Sequence, residues 1–110
     1  MTSEIKIYVA DLAAYNNGKL HGIWINATDD LGVIQDQINS MLAGSPEPDA
    51  EEYAIHDFEG FNGYRFSQYE NIETAHDSAC FIEEFPEIGG ELLTYFGGDS
   101  DDARKAAEEN

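Results

Sequence analysis

Ile5-Lys6-Ile7-Tyr8-Val9 alternates branched apolar residues with a lysine and a tyrosine. That two-residue period belongs to a strand with one buried face. The segments that follow decide what the strand pairs with. Asn17-Gly18 supplies a turn that tolerates positive φ. Leu20 to Asn26 reads as a second strand, with Ile23 and Ile25 on one face and Trp24 on the other. Thr28 or Asp29 is placed to cap a helix, and Leu31, Ile34, Ile38, Met41 and Leu42 recur at helical spacing behind it. Gly44 and Pro46 stop that helix, Ser45 to Asp49 forms a polar connector, and Tyr53 to Phe58 reads as a third strand. Strand, strand, helix, strand predicts a small three-stranded antiparallel sheet with one packed helix over residues 1–61.

Beyond Gly60 the pattern turns helical. Phe61-Asn62-Gly63-Tyr64 reads as a loop and Phe66 to Glu70 as a short helical turn. Asn71 caps a helix whose stripe is Ile72, Ala75, Ala79 and Ile82, with Phe81 and Phe85 beside it. Pro86 suits the first position of the next helix, whose expected buried face is Ile88, Leu92, Leu93 and Phe96, and Gly97-Gly98 ends it. Asp99-Ser100-Asp101-Asp102 starts a last helix through Glu109. The expected class is α+β: a sheet-plus-helix domain over residues 1–61, then a small acidic helical domain over residues 62–110.

Charge sets the functional reading. The 110 residues hold 23 Asp and Glu against 5 Lys and Arg, a net charge of −18. Self-repulsion at that level strains a compact fold, yet 42% of the residues are hydrophobic, enough for a core, which excludes simple disorder. Residues 1–46 hold five acids and two bases, a net of −3, while residues 47–110 hold eighteen acids and three bases, a net of −15. Such a surface repels nucleic acid and anionic membranes and attracts proteins with basic grooves. No apolar run approaches a membrane span and no secretory signal is visible. Cys80 is the only cysteine, so neither an internal disulfide nor a zinc spacing is available, and a reducing cytoplasm is the expected location.

On the helix from Ile72 to Phe85, Glu83, His76, Cys80, Glu73, Glu84 and Asp77 share one polar arc. Glu73 and Asp77 are like charges four apart, an arrangement that costs roughly 0.2–0.5 kcal/mol. Glu87 and Glu91 repeat it, and no Lys or Arg occurs between Arg65 and Arg104. Most charge runs are solvated surface, but ordinary surfaces mix both signs and this one does not. Duplex DNA carries one charge per ~1.7 Å of axis, so fifteen net charges match roughly 25 Å of duplex. A DNA mimic is one reading. An acidic cation-binding or salt-adapted domain without a DNA-groove target is the other.

Individual residues support no catalysis. His76 and Cys80 are four apart on one helix face, but Glu73, Asp77, Glu83 and Glu84 disfavour a thiolate there. His56 reads as a structural histidine near a strand end. An EF-hand loop started at Asp99 would place Arg104 and Asn110 where Gly and Glu are required, so capping explains those acids better. Gly89-Gly90 and Gly97-Gly98 lack the context of a phosphate-binding loop. Tyr64, Phe66, Tyr69 and Tyr95 are expected in packing.

Several segments together resemble the ArdA-type antirestriction proteins. They are Ile7-Tyr8-Val9-Ala10-Asp11-Leu12, Tyr15-Asn16-Asn17-Gly18-Lys19-Leu20-His21-Gly22 with Trp24, and Glu51-Glu52-Tyr53-Ala54-Ile55-His56-Asp57-Phe58-Glu59-Gly60-Phe61. Phe81-Ile82-Glu83-Glu84 and Leu92-Leu93-Thr94-Tyr95-Phe96-Gly97-Gly98 continue the match in order. The resemblance implies an elongated acidic protein that mimics bent B-form DNA. Its implied partner is a type I restriction-modification enzyme, at the DNA-binding groove built by the specificity and methyltransferase subunits. It implies no enzyme activity, no cofactor and no metal, and the cytoplasm of a bacterial host. The expected phosphate-mimicking acids are Asp49, Glu51, Glu52, Asp57, Glu59, Glu70, Glu73, Asp77, Glu83, Glu84, Glu87, Glu91, Asp99, Asp101 and Asp102. Family members continue into a C-terminal domain that carries an antirestriction motif and the main dimer contacts. The match to this chain covers the first two domains, which leaves a homodimer open.

Overall fold

The computed structural model describes residues 5–48, 50–61, 64 and 71–109. The expected turn over Phe66 to Glu70, and Asn62, Gly63 and Tyr69 with it, lie outside the described residues. The elements are β1 (Lys6–Asp11), α1 (Leu12–Asn16), β2 (Gly22–Asn26), α2 (Leu31–Ala43), β3 (Tyr53–Glu59), α3 (Ile72–Glu84), α4 (Gly89–Tyr95) and α5 (Ser100–Glu109). The class is α+β, as the alternating and helical patterns predict, and the three strands form an antiparallel sheet in the order β2-β1-β3.

Pairing follows the apolar alternation. Ile7 faces Ile25 and Val9 faces Ile23 across β1 and β2. On the other side Ile7 faces Phe58 and Val9 faces Ile55, although Ile55 and Phe58 are three apart and would fall on opposite faces of a regular strand. A register shift between Tyr8 and Val9 solves this: Tyr8 pairs with Asp57 and Val9 with Ile55, so His56 is the extra residue of a bulge. The bulge turns both apolar side chains to the core. Helix α2 covers that face with Ile34, Ile38 and Met41. Leu31, expected with them, is exposed. Helical side chains lean toward the N-terminus, and the first residue of α2 leans past the preceding turn rather than over the sheet.

Three other boundaries differ from expectation. Asn17-Gly18 terminates α1, a one-turn helix that the sequence pattern did not reveal. The Asp11 side chain caps α1 by accepting from Ala14 N at 3.2 Å. Gly18 takes φ 76°, its N–H donates to Tyr15 O, and Lys19 N–H donates to Ala14 O at 2.9 Å, the pattern of a Schellman stop. That exit occupies residues through His21, so β2 starts at Gly22 rather than Leu20, which is 91% exposed. The N-cap of α2 is Asp30, one residue beyond Asp29. Helix α4 starts at Gly89 rather than Pro86, because Gly89 N–H donates back to Phe85 O at 2.7 Å and residues 86–88 form a turn. Ile88 is consequently exposed while Leu93 carries the burial. Gly97, at φ 66°, ends α4 with a second Schellman stop, Gly98 N–H to Leu93 O at 2.8 Å.

The buried apolar residues form one contiguous cluster from Ile5 to Ala103. The molecule measures 51 × 22 × 22 Å, with a radius of gyration of 14.9 Å where a compact chain of this length has about 13 Å. It is elongated.

Candidate interaction surface

Of the fifteen carboxylates expected to act together, Asp49 and Glu70 lie outside the described residues, and the other thirteen are all exposed. Asp57 and Glu59 pair with Tyr8 and Lys6, on the sheet face away from α2. Asp57 Oδ1 also accepts from Phe58 N–H at 2.8 Å. Glu51 and Glu52 lead into β3, where Glu52 O accepts from Leu12 N–H at 3.0 Å and fixes that segment to the start of α1.

Helix α3 carries the most regular group. Asn71 caps it, its Oδ1 accepting from Thr74 N–H at 2.7 Å, and Ile72, Ala75, Ala79, Phe81 and Ile82 are buried, which fixes the rotation of the helix. With that rotation Glu73, Asp77 and Glu84 fall within an arc of about 40°, about 6 Å and then about 10 Å apart along the axis. Glu83 lies farther round. Glu87 sits in the turn before α4 and Glu91 in the first turn of α4. Asp101 and Asp102 occupy the first turn of α5, where negative charge favours the helix dipole, and both donate their N–H groups to Asp99 Oδ1, at 3.0 and 3.1 Å. Asp99 is therefore a cap as well as a surface acid.

Sequence reasoning missed two members of this surface. Arg104 on α5 donates to Glu84 on α3, and its guanidinium lies 5.6 Å from the centre of the Phe81 ring. The hydrogen bond it donates to Glu84 raises its pKa further; burial opposes this, and the charges of Glu84, Glu108 and Asp101 add to it. One base thus gathers acids from two helices, Glu108 among them. Asp30, at the start of α2, acts with acids of α3 on the Cys80 thiol. Asp30 lies outside the acid-rich segment that begins at residue 47, and only the packing of α2 beside α3 reveals it.

The His76–Cys80 pair has a structural explanation. His76 Nδ1–H donates to Ala27 O at 2.8 Å and ties α3 to the loop after β2. Cys80 Sγ lies 3.7 Å from His76 Nε2. Burial pushes the thiol pKa up, Glu83, Asp77 and Asp30 push the same way, and Arg104 opposes them. The thiolate required of a nucleophile is disfavoured. His56 meets Tyr15 edge-on, ring centres 4.8 Å apart. Tyr64 is buried as expected, whereas Tyr95 is 81% exposed, and Phe66 and Tyr69 are outside the described residues. Among the described residues no three His, Cys, Asp or Glu side chains converge as metal ligands, and no helix is long and apolar enough to cross a membrane.

A family model described as Antirestriction protein (ArdA) matches residues 7–110. No curated protein matches the chain.

Proposed function

Because the chain belongs to the ArdA antirestriction family, whose members act against restriction-modification enzymes, we propose that it works as a DNA mimic in the DNA-binding groove of a type I enzyme. The observation that carries this reading is the row of exposed carboxylates on α3, held in phase by a buried stripe and met by one base, Arg104 at Glu84, in a molecule 51 Å long. Its length equals about one and a half turns of duplex, a turn being about 34–36 Å. Net charge −18 over that length is one charge per about 2.8 Å, against one per ~1.7 Å in DNA. The protein therefore carries somewhat more than half the charge density of the duplex it replaces.

The mechanism is occupation without chemistry. Basic residues that line the cleft for phosphates meet carboxylates instead. Steering by the field speeds encounter, and bound protein excludes DNA. The groove formed by the specificity and methyltransferase subunits is the proposed target. A competition assay tests this: the protein is added to a type I methyltransferase holding labelled duplex. Displacement at low salt, weakening as salt rises, is expected. No displacement at large excess and low salt overturns the proposal.

A further inference from the structure

Among the described residues, β2 is an edge strand of the sheet. In the β1–β2 ladder, Ala27 N–H donates to Ile5 O at 2.8 Å and Asp11 N–H to His21 O at 2.9 Å. Residues two apart share an orientation in an antiparallel pair. Ile23 and Ile25 therefore turn their main-chain groups toward β1, while Gly22, Trp24 and Asn26 turn theirs away from the sheet. Among the described residues no strand pairs with that side. Natural edges are blunted by lysine, proline, a bulge or an inward charge. The segment Gly-Ile-Trp-Ile-Asn has none of these residues, and its pairing with β1 is regular.

Both flanks of the edge offer side-chain contacts. Between β2 and α2 lies a shallow, open cavity of about 440 Å³ lined by Ile23, Val33, Met41, Asp36, Gln37 and Ser40. Val33 at this cavity is 46% exposed. On the opposite face Trp24, 41% exposed, packs against Tyr8 with ring centres 5.4 Å apart. The charge around the edge is mainly negative, and among the described residues the one nearby base on this face, Lys6 opposite Asn26, has Glu59 of β3 opposite it on its other side. No Lys or Arg occurs from Leu20 through Tyr64, and Asp29, Asp30 and Asp36 lie beside the strand and cavity. A second copy, itself at −18, meets like charge here.

We propose that the β2 edge accepts a fourth strand from a basic partner protein, an extended segment that alternates apolar with Lys or Arg residues. Its apolar side chains enter the cavity at Ile23 and Val33. Its cations lie over the Tyr8–Trp24 pair, where an aromatic face attracts them. Main-chain bonds to Gly22, Trp24 and the Asn26 N–H supply affinity, the Asn26 carbonyl already accepting from Asp29 N–H at 3.2 Å, and the two flanks supply specificity. The inference does not depend on the acidic helices filling a DNA groove.

The test uses the whole chain and a short capped peptide alternating Lys and Val. Trp24, the only tryptophan, reports binding by fluorescence, and amide hydrogen exchange reads Gly22, Trp24 and Asn26. Saturable binding is expected, with exchange at those amides slowed at least about tenfold. The same peptide N-methylated at alternate residues keeps its charge but not its donors, and should bind about tenfold more weakly. Asn26→Pro removes an outward donor and should also weaken binding. Should that variant misfold, Val33→Asn at the exposed cavity rim serves instead, with binding expected to fall at least about threefold. Equal binding of the methylated peptide shows charge attraction alone and overturns the proposal, as does unchanged exchange at the three amides. Protection that grows with protein concentration without peptide, alongside a dimer in sedimentation, assigns the edge to a second copy and overturns it too.

Discussion

At the scale of single residues, Asp11 holds the first turn of the fold. It is buried, caps α1, and its own N–H reaches His21 O. Burial pushes its carboxyl pKa up, but the nearby Ser45 hydroxyl, the hydrogen bond from Ala14 N–H, the neighbouring Ala13 N–H and the charge of His21 bring it below the ordinary value. The ionised form is therefore the stabilising one. Its contribution is present above the unfolded value of about 4 and is lost as pH falls through the lower folded value. Asp11→Ala should cost ~1–3 kcal/mol at neutral pH. Urea unfolding should show that deficit constant above about pH 4 and shrinking below it. A deficit independent of pH would assign the effect to packing instead. Cys80 yields the opposite kind of prediction. Its thiol should alkylate more slowly than free cysteine, with a titration midpoint above the ordinary 9.0, and Cys80→Ser should leave DNA displacement unchanged. A midpoint below 9.0 would reopen the question of reactivity.

At the scale of elements, α3 separates stability from function. Asp77→Lys removes a like-charge pair and places a cation four residues after Glu73, the favourable orientation, a gain of roughly 0.2–0.5 kcal/mol for each change. Thermal unfolding should therefore shift upward while displacement of DNA from the methyltransferase weakens. A stabilised variant that displaces DNA as well as the parent would show these acids to be plain surface. Where α3 meets α4, Gly89→Ala should destabilise by ~1–3 kcal/mol despite the better helix propensity of alanine. Its Cβ would stand 3.0 Å from Ile82 Cα, a backbone atom that cannot swing aside. The periods that revealed elements in the sequence are those that packing enforces: Ile7 and Val9 on β1, Ile34 and Ile38 on α2, Ile72 through Ile82 on α3. Helix α1 escaped because a single turn has no period to read, and its Asn17-Gly18 stop looks the same as a hairpin turn in sequence. The His56 bulge escaped because it is defined by a partner strand. The exposure of the helical acids followed from helix phase. The gathering of Glu84, Asp101 and Glu108 around Arg104 did not, because Glu84 and Arg104 are 20 residues apart and meet only once α5 packs on α3.

At the scale of the whole molecule, the net charge acts on stability and binding with opposite signs. Carboxylates on a narrow body repel one another, and salt relieves this: the Debye length falls from ~30 Å at 0.01 M to ~3 Å at 1 M. The attractive pairs Lys19–Glu47, at 3.1 Å, and Arg104–Glu84 also weaken with salt, but surface pairs of this kind contribute little. The melting temperature should therefore rise steadily with added NaCl. Displacement of DNA should fall over the same range, because the basic cleft is screened from the same carboxylates. Neutralising Glu73, Asp77, Glu83, Glu87 and Glu91 together should imitate high salt in both respects. At low salt that variant should melt higher than the parent, associate with the methyltransferase more slowly, and dissociate at nearly the parental rate. One Asp→Asn change, half the charge change of Asp77→Lys, should move each of these only slightly, since the field belongs to the whole surface. Calorimetry and stopped-flow mixing on the same samples check both halves. A melting temperature that falls with salt would mean that attraction outweighs repulsion in the free protein. A normal association rate in the five-site variant would place recognition elsewhere than on the α3–α4 acids.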